Sequence, residues 1–138
     1  MRISACVTNG HGQHQVVLRT AEAEHTLAVA PKASGAGSAT NGGEFLMLAL
    51  ATCYCNDLYR EAARLGLALD SVEVRAEADF DGIGLAARNV RYQARVQSPA
   101  SPDAIARLLR ETDAVAEVHN TLRQGVPVHW IDPAPPST

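Results

Sequence analysis

Aromatic residues make up only 4% of this 138-residue chain, so its core must rely on Ala, Leu and Val, which pack closely but bury little area each. A partner subunit is a natural source of further burial. Basic charge is scarce as well. Twelve Lys and Arg against fifteen Asp and Glu give a net charge of −3, which argues against nucleic acid or an anionic membrane as the main partner. The three cysteines, Cys6, Cys53 and Cys55, are odd in number and not spaced as a disulfide framework. No apolar run reaches the eighteen residues of a membrane span, and Met1–Val7 turns polar too soon for a secretory signal. These absences predict a soluble cytoplasmic protein. Also missing are internal repeats, a Gly-rich nucleotide fingerprint, a Ser-His-Asp order and a catalytic carboxylate signature. Nothing in the sequence calls for a cofactor. A metal site is not expected either: His11 and His14 lie in a Gly-rich turn, and Cys53 and Cys55, if helical, point about 200° apart.

The patterning that is present predicts an α+β fold. Ile3 to Thr8, Gln15 to Arg19 and His25 to Ala30 read as three short strands, with a turn at Asn9-Gly-His-Gly12. Pro31 to Ser38 is a Gly-, Ala- and Ser-rich loop. Asn41-x-x-Glu44 has capping-box spacing and opens a long helix from Gly42 to Leu65, closed by Gly66. Val72 to Phe80 and Val90 to Val96 alternate apolar and charged residues, acids on one strand and arginines on the other, as an antiparallel pair requires. Ser101-Pro-Asp103 starts a second helix, and a third runs from about Asp113 to Arg123 before Gly125. Val126 to Ile131 reads as a closing strand, at an edge because of Pro127. The order is βββ-α-ββ-αα-β in a single domain over 1–131, and the Pro-rich tail 132–138 is expected to be flexible.

Cys53 stands in the almost unbroken apolar run Phe45–Cys55. A helix greasy on all sides must be enclosed by protein, so a thiol inside it is either inert filler or a sheltered reagent. Helical spacing puts Asn56, Asp57 and Arg60 on the Cys53 face, and Leu48, Ala51, Leu58, Tyr59 and Ala62 with Cys55. Cys55 therefore reads as core. Cys53 marks a boundary between apolar and polar surface, as at a pocket mouth. Burial and Asp57 would both disfavour the thiolate, and Arg60, or Arg19 brought by the fold, would favour it. Residue spacing leaves the choice open.

Ser34-Gly-Ala-Gly-Ser-Ala-Thr-Asn41, the helix Phe45-Leu-Met-Leu-Ala-Leu-Ala-Thr-Cys53 and the stretch Val118-His-Asn-Thr-Leu-Arg-Gln-Gly125 together resemble the OsmC/Ohr family. The resemblance implies an intertwined α+β homodimer with two sites at the subunit interface. It also implies reduction of organic hydroperoxides by a cysteine pair, with Cys53 as the attacking thiol. Two departures stand out. The second family cysteine falls on Ala116-Glu117 and is absent, so an external thiol reductant is required. The glutamate of the Ohr branch falls on Gly43, and Glu44, one residue displaced, is explained by its capping box while remaining a site candidate. The alternative implied function is a non-catalytic dimer that binds a small apolar or electrophilic ligand.

Overall fold

A computed structural model of the chain describes residues 1–132; the tail segment 133–138 lies outside the described residues. The chain divides into two compact units, 1–46 and 47–138.

The first unit is a meander of β1 (Ile3–Gly10), β2 (Gln13–Thr20) and β3 (Ala23–Thr26), all antiparallel in the order β1-β2-β3. The first hairpin has a two-residue loop, His11-Gly12, with φ of 51° and 73°. Positive φ at both positions matches the right-handed twist of the flanking strands. The second hairpin turns at Ala21-Glu22, which pairs Thr20 with Ala23. This corrects the sequence reading of the third strand, which placed it at His25 to Ala30. The tight turn sets the register, so pairing begins at Ala23 and ends at Thr26, and the Leu27/Val29 alternation falls outside the strand. Pro31 and Ser38 form an isolated bridge across the predicted loop.

The helix α1 (Gly42–Leu65) follows. Its start is a reciprocal capping box: the Asn41 N–H donates to Glu44 Oε2 at 2.8 Å, and the Glu44 N–H donates to Asn41 Oδ1 at 2.9 Å. Gly66, with φ of +69°, ends it in the left-handed conformation, and the Leu67 N–H reaches the Ala62 carbonyl.

In the second unit, β4 (Ser71–Asp79) pairs antiparallel with β5 (Arg88–Gln97). Glu73 lies opposite Arg95 and Glu77 opposite Arg91, the latter pair closing at 2.6 Å. The other sheet face carries Val72, Val74, Tyr92, Ala94 and Val96 and packs on the core cluster Tyr54, Leu58, Ala62, Leu108 and Ala116. Leu108 comes from α2 (Pro102–Val115), which starts with the Ser101 hydroxyl accepting from the Ala104 N–H and Pro102 in the first turn. Asp113 belongs to this helix. The third helix, α3 (Glu117–Arg123), begins four residues later than the sequence suggests, because Ala116 is extended (φ −73°, ψ 103°) and turns the chain.

Two further expectations are corrected. Val126 to Ile131 forms no strand: Val128, Trp130 and Ile131 are exposed, and among the described residues no strand supplies the partner that alternation alone cannot create. The buried line on α1 is Leu50, Tyr54, Leu58 and Ala62, with Asp57 and Glu61 beside it. Leu48 and Tyr59 are about half exposed and Cys55 is only half-buried, so Cys55 is not core within this chain. A four-residue step drifts slowly around a helix, and that line faces β4, β5 and α2; the Ala51–Cys55–Tyr59 line is rotated away by about 100°. For the same reason the described residues of its own unit do not enclose the apolar first half of α1 on all sides, and Leu48 stays about half exposed.

Candidate functional site

Three turns into α1, the Cys53 thiol points along the helix toward residues one and two turns on. Its Sγ donates to Asp57 Oδ2 at 3.5 Å, and Asp57 Oδ1 receives Arg60 Nη1 at 2.8 Å. The i, i+4 and i, i+3 steps bring these side chains together without help from the rest of the fold. Glu117, the first residue of α3, joins them: its Oε2 lies 4.0 Å from Sγ, and its Oε1 lies 3.8 Å from Arg60 Nη1. The extended Ala116 turns the chain so that the start of α3 lies at the sulfur, with the backbone of Val118 near it.

Charge and burial compete at the sulfur. Burial pushes the thiol above its ordinary value, the Val118 backbone pulls it partway back, and the Asp57 and Glu117 carboxylates push it up again. The resting group is a protonated thiol. Asp57 itself is only 5% exposed, and burial raises its carboxyl against the pull of Arg60 and the Cys53 hydrogen bond. The Arg60 guanidinium also lies 3.3 Å from Glu61, which is bridged in turn to Arg64 at 2.6 Å.

The ligand atoms of Cys53, Asp57 and Glu117 fall within 4.8 Å of one another, a set that could hold a borderline-soft divalent metal. Arg60 already supplies the positive charge there, so a metal ion would have to displace it.

A cavity of about 260 Å³ opens in the same unit, lined by Leu50, Val90, Tyr92, His119, Leu122 and Arg123. Leu50 lies one turn before Cys53 on α1, and His119 lies two residues after Glu117 on α3. The walls are mostly apolar. His119 is buried between the Tyr54 and Tyr92 rings, 5.7 and 4.3 Å between centroids, and neither ring nitrogen has a hydrogen-bond partner. Burial holds its pKa below the ordinary value, so the imidazole is neutral at neutral pH.

Of the sequence candidates, Cys53, Asp57 and Arg60 thus form one cluster. Arg19 is held in an ion pair with Glu24 at 2.5 Å across the β2–β3 hairpin, and Glu44 is committed to the capping box. Sequence reasoning passed over Glu117 as a site residue. The signal was its place at the missing cysteine; what hid its role was the boundary of α3, drawn as a continuous helix through Ala116.

The arrangement has a consequence for stability. Asp57 titrates above its unfolded value, so between the two values the native state holds the extra proton, and stability falls as pH rises through that window. Arg60→Met removes the largest opposing influence and raises the carboxyl further. We therefore expect the variant to match the parent near about pH 4 and to melt progressively lower than it toward about pH 7. Parallel melting curves of the two proteins across that range check this; a deficit independent of pH would contradict it.

Residues 35–131 match the family described as OsmC-like protein. Among curated proteins none matches the sequence. The fold is similar to that of an OsmC-like protein from Mycoplasma pneumoniae, 17% identical over 87% of each chain with a TM-score of 0.59. An organic hydroperoxide resistance protein OsmC from Legionella pneumophila is 17% identical, with 89% of this chain and 90% of that one covered and a TM-score of 0.60. An OsmC-like hydroperoxide resistance protein from a Jannaschia species is 15% identical over 98% of this chain and 93% of its own, at 0.59. With the family match spanning well over half its length, the chain belongs to the OsmC-like proteins.

Proposed function

We propose that this protein reduces organic hydroperoxides through the single thiol of Cys53, as a homodimer in the cytoplasm, with an external thiol as reductant. The observation that carries the reading is the placement of Sγ against Asp57, which is itself paired with Arg60, one helical turn from Leu50 and its mostly apolar cavity. Apolar walls favour an organic peroxide over hydrogen peroxide. The sulfur attacks the outer peroxide oxygen, an S–O bond forms, the O–O bond breaks, and the product is an alcohol plus a sulfenic acid on Cys53. Two equivalents of an external thiol then return Cys53 to the thiol and release water. No cysteine stands at Ala116 or Glu117 to do this within the chain. Hydroperoxide resistance in the names of several structural neighbours supports the same reading. The exposed apolar side of α1, with Leu48 and Tyr59, supports a second copy as its cover.

The raised thiol favours one competing reading, a dimer that binds a small apolar or electrophilic ligand without turnover. The test is direct. Purified protein given tert-butyl hydroperoxide and a dithiol should consume peroxide catalytically, and a sulfenic-acid trap should label Cys53. Unchanged peroxide with unlabelled Cys53 would leave the binding reading in its place.

A further inference from the structure

The thiol of Cys53 has two carboxylates close by, and the proposed chemistry requires it to lose a proton. Arg60 is 2.8 Å from Asp57 and 3.8 Å from Glu117, so its charge is spent on the carboxylates. Of the two carboxylates, Asp57 is the better positioned to accept the proton. Its Oδ2 already receives the S–H at 3.5 Å, while its Oδ1 is pinned by Arg60. That division leaves one oxygen for orientation and the other for the proton.

We propose that Asp57 is the general base and acid of the Cys53 reaction, taking the thiol proton as the sulfur attacks and returning it to the leaving group. The inference rests on the peroxidase reading for its substrate, though not for its test. With a hydroperoxide, Sγ bonds to the outer oxygen as the S–H proton passes to Asp57 Oδ2. The O–O bond breaks and the protonated carboxyl gives its proton to the departing alkoxide. Sulfur is oxidised from thiol to sulfenic acid, the peroxide is reduced to alcohol, and Asp57 ends as it began. Transfer to a carboxylate is uphill at rest, so it accompanies the attack rather than preceding it. Burial of Asp57 brings its basicity nearer the working pH. The charged and titratable groups facing the pair are Arg60 and, through it, Glu61 on α1, and Glu117 and His119 on α3. Glu117 accepts from the thiol less closely, at 4.0 Å, and its side chain is 72% exposed, so it is the weaker acceptor and acts on the sulfur mainly by its charge.

These roles give opposite signs to two variants. The probe is iodoacetamide, which needs no peroxide: an S–C bond forms, iodide leaves, and the proton passes through Asp57 to water. The rate is followed on the Cys53 peptide by mass spectrometry from about pH 5 to about pH 9. Unmodified protein should show a plateau below neutrality, where ionised Asp57 serves as base while the thiol remains protonated. In Asp57→Asn the plateau should vanish and the rate at about pH 6 should fall about a hundredfold, with partial recovery in Asp57→Glu. Glu117→Gln, which mainly removes a repelling charge, should react faster. Were Asp57 merely repelling a thiolate, Asp57→Asn would also react faster, and that result overturns the proposal. Should Asp57→Asn fail to fold, the unmodified protein decides: a rate proportional to hydroxide over the whole range refutes Asp57 as base. An inert response to hydroperoxide alongside a base-dependent alkylation would sink the peroxidase reading alone; turnover unaffected in a folded Asp57→Asn would sink this one alone.

Discussion

Replacing Cys53 by serine is expected to cut hydroperoxide turnover by at least about a thousandfold, as loss of an attacking nucleophile does elsewhere. Serine keeps the size of the side chain and a donor toward Asp57, so the fold and the Asp57–Arg60 pair should survive. What disappears is the polarisable atom that can accept oxygen and later release it to a reductant. Cys55→Ser is the control on the same helix. That residue is half-buried and two positions along, which turns it about 200° from Cys53, so its loss should leave turnover within about threefold. A steady-state assay of both variants, with melting temperatures to confirm folding, separates the outcomes. Activity retained in Cys53→Ser, or lost equally in both, would remove this thiol from the centre of the chemistry.

The second large effect concerns stability. Leu58 has no exposed surface and sits where Tyr54 and Ala62 of α1 meet Leu108 of α2 and the apolar face of β4 and β5. Leu58→Ala deletes the buried branch and leaves a cavity that the surrounding helices and strands can only partly close. Losses of this kind run about 2–5 kcal/mol. We expect about 4, because its neighbours come from four separate elements and cannot all move inward together. Chemical denaturation of the parent and variant measures it, with the midpoint falling and the slope unchanged. A loss below about 1 kcal/mol would show that this contact is not the centre of the core.

Much of this was written in the sequence in plain form. The capping box at Asn41 and Glu44, the stop at Gly66 and the opposed charges of β4 and β5 are local devices, each needing only residues a few positions apart or on facing strands. The Cys53–Asp57–Arg60 cluster was legible for the same reason, since helical spacing alone joins them. Other features depended on distant parts of the chain. The third strand took its register from the Ala21-Glu22 turn rather than from the alternation after it. Val126 to Ile131 has the pattern of a strand, but a strand is a pairing, and pattern cannot provide the neighbour. The rotation of the buried stripe from Cys55 to Tyr54 depended on where α2 and the sheet lie, which residue spacing on α1 does not record. Glu117 was hidden by a single extended residue, Ala116, whose neighbours on both sides have good helical sequences. Its role emerges only when α3 is seen to begin there.

Ala116 carries a consequence for substitutions where α2 hands over to α3. It has no exposed surface and belongs to the core cluster, so any larger side chain there must be taken up among buried neighbours. Overpacking a core position of this kind typically costs about 1–3 kcal/mol. The neighbouring Glu117, with its side chain 72% exposed and its carboxylate 4.0 Å from Cys53 Sγ, carries no such constraint, so a second thiol is better introduced there than at Ala116.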